Sequence, residues 1–284
     1  MNTVDFSKEN ISKLLPQIHS DIHKGERGGV LICGGSTHFR GAPLLCALAA
    51  LRSGAGYVVL AVPDFMADSA CAFLPEAIIE PLKTQNGFMS REAVVKAIEN
   101  WGTRVQAAAF GMGLGRKDSL KAVTQYFYTN WQKPLVFDAD ALYFLAQLRV
   151  FPRENFVVTP HLGEAATLLS EATGNIKSQR PLVAQRLAEK YGISLLKGKG
   201  TLLCDTHEIR KIVNGSPSLA IPGSGDVLSG ILAAFLASGI NSFDSACLAA
   251  CVHALAGEKL EAKYGVRGAL AREIAEEIPN VLKM

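Results

Sequence analysis

Short apolar runs alternate with helical patterns along most of the chain. Residues 30–32, 57–62, 107–110, 135–137, 156–158 and 194–196 are brief and apolar, and most show no polar alternation. A strand buried on both faces has that signature, and strands separated by helical stretches pair in parallel through crossovers. The pattern predicts an α/β protein with a mostly parallel central sheet flanked by helices and most strands interior. Residues 201–204 and 209–213 flank a polar stretch, Asp205-Thr206-His207-Glu208, and predict a hairpin at one sheet edge. Beyond it the apolar spacing turns helical over 226–238, 242–263 and 269–283, so the sheet comes first and helices close it. No repeat, linker or low-complexity segment interrupts the pattern, and residues 1–284 are read as a single domain.

Composition narrows the partners. With 49% apolar residues among 284, the chain can bury one large core. The formal charge is only +3, and Lys and Arg are dispersed without a basic run or interleaved aromatics, so nucleic-acid binding is not indicated. Residues 1–18 mix charged and apolar positions and show no secretory signal. The most apolar stretch, 227–240, is broken by Ser229, Gly230, Ser238 and Gly239 and falls short of the roughly 20 residues that span a bilayer. It is expected as a buried helix, not a membrane segment. Six cysteines without a CxxC pair or zinc-type spacing are expected as core residues of a cytoplasmic protein. Cys247 and Cys251 share a helix face, which leaves a metal pair open, while His253 falls on another face.

Six glycine-rich or polar segments carry candidate chemistry. In Ile221-Pro222-Gly223-Ser224-Gly225-Asp226, glycines enter an apolar helix. Successive N–H groups there converge on an anion, and the helix N-terminus adds about half a positive charge. Asp226 either takes a proton from a hydroxyl held in that cradle or serves only the helix terminus. Residues 34–43, with Gly34, Gly35, Gly41 and Ala42, join a strand to the helical run 44–52 but lack dinucleotide GxGxxG spacing; they form a ligand rim or a plain turn. Gly111, Gly113 and Gly115 permit close backbone approach or mark a mobile loop. Asp138 and Asp140 end a strand, where they hold a metal through water, orient a hydroxyl or, for Asp140, cap the next helix. His161 and Glu164 share one short loop, with ligand and Mg²⁺ binding as one reading and a structural histidine as the other. Lys197, Gly198, Lys199, Gly200 and Thr201 either grip nucleotide phosphates or form a solvated turn. Five of the six follow strand ends, where ligands of parallel α/β sheets bind.

Taken in order, these segments resemble the NAD(P)H-hydrate dehydratase family. The resemblance runs from Gly34-Gly35-Ser36 through Gly41-Ala42-Pro43, residues 49–56, 111–115 and 137–142, Thr159-Pro160-His161, Lys197-Gly198 and 223–230 to Ala271, Ile274 and Ile278-Pro279. It implies a ribokinase-like three-layer fold and phosphorylation of the hydroxyl of hydrated NADH or NADPH by ADP or ATP with Mg²⁺. Loss of phosphate then restores the dihydropyridine. On the matching positions the family pattern implies Asp226 as base and Gly223, Ser224 and Gly225 as the anion hole. Lys197, Gly198, Lys199, Gly200, Thr201 and Gly225 are implied at the adenine nucleotide, and Ala42, Gly113, His161 and Asp226 at the hydrated dinucleotide. Glu164 is the expected Mg²⁺ contact.

The resemblance also implies a homotetramer and a separate NAD(P)HX epimerase, because the segment before Gly29 is too short for the epimerase domain of the bifunctional proteins. Ile221 and Pro222 depart from the family's Thr-Gly, which removes a hydroxyl and an N–H beside the cradle; Met112, Leu162, Lys199 and Glu273 are smaller departures. A ribokinase-like small-molecule kinase and a nucleotide-binding protein without turnover are the competing readings.

Overall fold

The structure is a computed structural model that describes residues 3–16, 21 and 23–283; within the expected signal-free segment 1–18, residues 1, 2, 17 and 18 lie outside the described residues. Its strands are β1 (Thr3–Phe6), β2 (Gly29–Cys33), β3 (Tyr57–Pro63), β4 (Ile78–Leu82), β5 (Thr84–Gln85), β6 (Phe88–Met89), β7 (Ala107–Phe110), β8 (Leu135–Phe137), β9 (Phe156–Val158), β10 (Ile193–Leu196), β11 (Leu202–Cys204) and β12 (Ile209–Ile212). Ten of them form one sheet in the order β1-β12-β11-β10-β9-β8-β7-β2-β3-β4, and β5 pairs with β6 in a small ribbon.

From β10 to β4 every pairing is parallel, while β11 and β12 form the expected antiparallel hairpin. That hairpin is not the sheet's edge, as the sequence pattern had suggested. β1 adds to β12 in parallel and becomes the outer strand. Three of its four residues are exposed, so it carries no apolar run for a pattern to register. β4 was equally invisible, because Pro81 and Glu80 interrupt it; a proline is tolerated there because β4 is the opposite edge.

The parallel strands sort their side chains by period two onto two apolar faces. Val30, Ile32, Val58, Leu60, Val136 and Val157 enter one core, packed by the helices Gly41–Arg52, Ser224–Ala237, Ser242–Tyr264 and Ala271–Leu282. Leu31, Val59, Phe110, Phe137 and Phe156 enter the other, covered by Arg91–Trp101, Ser119–Asn130, Leu162–Leu169 and Arg180–Tyr191. The result is the three-layer α/β arrangement. Among the described residues no helix is long and apolar enough to cross a membrane.

The Ser224–Ala237 helix is buried almost all round, as a helix lying between sheet and outer helices must be. Gly230 lets it approach the Gly41–Arg52 helix: a Cβ there would meet the Cys46 carbonyl, with Ala49 Cβ 2.9 Å away. Five cysteines are buried as expected, and Cys71 is exposed. Because β2, β7, β8, β9 and β10 run in parallel, the loops after them emerge along one rim, facing the N-terminus of the Ser224–Ala237 helix.

Candidate active site

The turn into the central helix is built by Ile221-Pro222-Gly223-Ser224. The Ser224 amide donates to the Ile221 carbonyl at 3.3 Å, and Gly223 has φ 88° and ψ −13°. These are the features of a type II turn, in which proline presets the second position and glycine supplies positive φ at the third. The helix then begins at Ser224, two residues earlier than the apolar pattern predicted. The N–H groups of Gly223, Gly225 and Asp226 have no hydrogen-bond partner among the described residues. They carry no protein acceptor, whereas the Ser224 amide, expected beside Gly223 and Gly225 in the anion hole, is committed to the Ile221 carbonyl.

Asp226 lies in the first turn of this helix, partly buried. Burial, reinforced by the neighbouring carboxylates of Asp138, Asp140 and Glu164 against the opposing Lys197, pushes its carboxyl up to about 7. A carboxylate tuned near neutrality is suited to accept a proton from a hydroxyl.

Asp138, at the end of β8, organises the floor. Its Oδ1 accepts from Thr159 Oγ1 at 2.7 Å and from Lys197 Nζ at 2.9 Å, and its Oδ2 accepts from Ser229 Oγ at 2.9 Å. Burial alone would raise this carboxyl, but the Lys197 ammonium and the three hydrogen bonds hold it below the ordinary carboxylate range. Lys197 also lies 3.7 Å from Glu164. Burial works against its charge, yet Asp138 and Glu164 prevail and keep its pKa raised. A Cβ on Gly225 would sit 3.4 Å from Lys197 Nζ, so the lysine stands directly beside the anion cradle.

The other expected residues converge here in part. Lys197 opens the loop that continues through Gly198, Lys199, Gly200 and Thr201, and its amide donates to the Pro160 carbonyl at 2.8 Å. Arg180 Nη2 donates to the Gly200 carbonyl at 2.9 Å and Nη1 to that of Lys199, bracing the loop from the Arg180–Tyr191 helix. Lys199 itself is exposed. Gly113 and Ala42 meet at the opposite wall: a Cβ on Gly113 would lie 3.2 Å from Ala42 Cβ and 2.7 Å from the Phe39 carbonyl. The Gly35 amide donates to Met112 O at 2.9 Å, tying the two glycine loops together.

His161 is the N-cap of the Leu162–Leu169 helix. Its Nδ1 accepts from the amides of Gly163 at 3.0 Å and Glu164 at 3.2 Å, while Glu164 Oε2 accepts from the His161 amide at 2.8 Å. Partial burial, with Lys197 adding to it, lowers the histidine's pKa, so the ring is neutral with its proton on Nε2. Its Nε2 lies 3.4 Å from Glu164 Oε1, and its side chain is 60% exposed, which leaves the carbon edge of the ring open to a ligand. Glu164, the expected Mg²⁺ contact, is thus occupied by capping and by Lys197, and burial raises its pKa. Asp140 neither caps the next helix nor stands open: its carboxylate accepts from the Gly115 amide at 2.8 Å and from Arg116 Nε at 3.2 Å. Ala139 occupies the N-cap position instead, at φ 50°.

Two features escaped the motif reading. Ser229 is one turn beyond Asp226, a spacing that places both on one helix face, and it was legible on that ground. His253, almost fully enclosed, reaches Ser224 from the Ser242–Tyr264 helix, and no local signal marks it. Cys247 and Cys251 lie in the core, and no group of three or more His, Cys, Asp or Glu suited to a metal occurs among the described residues. A cavity of about 560 Å³ lined by Ser7, Lys8, Val213, Leu255 and Lys259 shares no residue with the site.

Comparisons with known proteins place the chain in a family and match its fold. The family model described as NAD(P)H-hydrate dehydratase matches residues 30–280. A bifunctional NAD(P)H-hydrate repair enzyme of Thermanaerovibrio acidaminovorans is 35% identical over 285 residues, which cover 99% of this chain and 56% of that protein. The chain spans about half the length of this and other curated relatives it matches. An ADP-dependent (S)-NAD(P)H-hydrate dehydratase of Cenarchaeum symbiosum is 34% identical over 281 residues, covering 98% of this chain and 96% of that one. In fold, the chain matches the ADP/ATP-dependent NAD(P)H-hydrate dehydratase of Bacillus subtilis co-crystallized with ATP/Mg²⁺, with a TM-score of 0.86 at 24% identity, over 100% of this chain and 99% of that one.

Proposed function

This chain belongs to the NAD(P)H-hydrate dehydratase family, and on that footing we propose that it returns hydrated NADH and NADPH to the reduced dinucleotides at the expense of ADP or ATP. The observation that carries the reading is Asp226, a carboxylate raised to about 7 beside helix-start amides that have no acceptor among the described residues.

Hydroxide is a poor leaving group and phosphate a good one. Asp226 takes the proton of the hydrate hydroxyl as its oxygen bonds to the terminal phosphorus of the nucleotide and the bond to the leaving nucleotide breaks. The ring C–O bond then breaks with phosphate carrying off the electron pair, assisted by the lone pair of the ring nitrogen. Loss of a proton from the adjacent ring carbon restores the dihydropyridine. Gly223, Ser224 and Gly225 stabilise the charge that develops on the transferred group. Lys197, Gly198, Lys199, Gly200 and Thr201 hold the adenine nucleotide, with Lys197 neutralising phosphate while Asp138 fixes its position. Ala42, Gly113 and His161 line the dinucleotide.

The donor set suits Mg²⁺ shared between protein and nucleotide. Mg²⁺ characteristically takes one or two carboxylates with phosphates and water, not a cage of protein ligands. Asp226, which receives no hydrogen bond from a described residue, is the carboxylate at hand, whereas Glu164 is engaged by the His161 amide and Lys197 and would join the ion only by giving up one of these contacts. The ion, when bound, supplies charge neutralisation at the phosphates. Further copies in a homotetramer, and an NAD(P)HX epimerase acting in the same pathway, complete the proposed partners.

The test is incubation with hydrated NADH and ADP or ATP in parallel, with and without Mg²⁺, following inorganic phosphate and the absorbance of reduced nicotinamide. Both rise together if the reading holds. Appearance of a stable phosphorylated product, with neither signal, would instead identify a small-molecule kinase.

A further inference from the structure

His253 Nε2 lies 3.0 Å from the Ser224 carbonyl oxygen and 3.0 Å from Ser224 Oγ. A carbonyl can only accept, so the contact requires a proton on Nε2. That one N–H is shared between the two oxygens, and Ser224 Oγ is therefore an acceptor toward the histidine. Its own hydrogen must point elsewhere. No other protein group receives it among the described residues, and the Ser224 amide is already committed to the Ile221 carbonyl at 3.3 Å. Ser224 thus has one free donor, its hydroxyl, at the first position of the helix whose following N–H groups face the cradle.

We propose that His253 is a positioning residue: by donating from Nε2 it fixes the Ser224 hydroxyl as a donor to the phosphoryl group being transferred. This rests on the anion-hole reading given above and deepens it, since it assigns the contribution of Ser224 to its side chain and not to its amide. Both residues are almost fully enclosed, at 5% exposure for Ser224 and 9% for His253, so water does not compete for either contact. Burial also lowers the histidine pKa to about 4, which keeps the ring neutral through the working pH range. A preset donor costs no reorganisation when charge develops, which is the basis of oxyanion-hole catalysis.

Two measurements decide the matter. The first is ¹⁵N NMR of the imidazole in protein without substrates. It is expected to show a protonated Nε2, and an unprotonated Nε2 would overturn the proposal whatever the enzyme acts on. The second is a kinetic cycle of Ser224→Ala, His253→Leu and the double variant, with His253→Gln as the conservative replacement that returns an N–H near the Nε2 position. Ser224→Ala is expected to lower kcat about 100-fold and His253→Leu about tenfold, with KM for nucleotide within about threefold of the parent. The double variant should be no slower than Ser224→Ala, and His253→Gln should recover most of the loss. Independent, multiplicative losses, or an unchanged kcat in a folded His253→Leu protein, would sink it. A parent enzyme that releases no phosphate from hydrated NADH is instead a failure of the substrate assignment, and the NMR result still judges the hydrogen bond.

Discussion

Lys197 and Asp138, 59 residues apart in sequence, meet at 2.9 Å beside Gly225, where the ends of β8 and β10 face the start of the central helix. Neither has much water to fall back on: their side chains are 20% and 2% exposed. The pair therefore does two tasks, anchoring the floor of the site and holding a positive charge next to the cradle.

Removing the lysine strands a buried carboxylate. Lys197→Met is expected to cost about 3–5 kcal/mol, and adding Asp138→Asn should recover part of that loss, because the uncompensated charge is then gone. The pH dependence follows from the directions of the two shifts. Asp138 is depressed when folded, so its stabilisation is present above the ordinary 3.8 and disappears as pH falls through its lower folded value. Lys197 is raised, so its share is present below 10.5 and is lost as pH rises through its higher folded value. Urea unfolding across pH checks both limbs.

Asp226 carries the opposite sign from Asp138. Its folded carboxyl retains a proton up to about 7 that the unfolded chain releases near 3.8, so stability falls as pH rises across that window. Asp226→Asn is expected to be more stable than the parent by about 1–2 kcal/mol at alkaline pH, with little difference below the window, and to lose at least about 100-fold in kcat. In the parent, kcat/KM should climb with pH to a plateau above about 7. A flat profile in that range would deny Asp226 the role of base.

The turn before the cradle gives Pro222 a function that its departure from the family pattern did not suggest. It occupies the second position of the Ile221–Ser224 turn, where its fixed φ lowers the entropy lost on folding. Pro222→Ala is expected to cost about 0.5–1 kcal/mol with nucleotide affinity little changed. Gly223→Ala is the severe change, because φ is 88° there and a Cβ would lie 2.6 Å from Leu45 Cδ1 and 2.9 Å from Ala271 Cβ. Thermal unfolding and isothermal titration with ADP separate the two outcomes.

What the sequence disclosed depended on range. The doubly buried strands were legible because both faces of β2, β3, β7, β8 and β9 are apolar, so no alternation confuses the run. β1 and β4 were not, since an edge strand needs few buried residues and tolerates Pro81. The glycine turn and Asp226 declared themselves locally. Asp138 was visible as an acid at a strand end, but its partners Thr159, Lys197 and Ser229 come from three other elements and only the folded chain assembles them. His253 is the extreme case. A histidine inside an apolar helix has no spacing signal, and its importance lies wholly in the helix end it touches.

His161 combines a structural and a proposed binding role on one ring, and asparagine can separate them. The imidazole Nδ1 caps two amides of the Leu162–Leu169 helix, while most of the ring faces outward. Asparagine is among the best N-cap residues and offers an acceptor of similar reach; alanine offers none. His161→Asn should therefore keep stability within about 0.5 kcal/mol of the parent, whereas His161→Ala should lose about 1 kcal/mol. Both lack the imidazole edge, so both should raise KM for the hydrated dinucleotide to a similar degree, about tenfold, with kcat less affected. If His161→Asn instead binds substrate as the parent does while His161→Ala does not, the ring serves the helix alone and the dinucleotide does not touch it. Paired chemical denaturation and steady-state kinetics on the two variants give the answer.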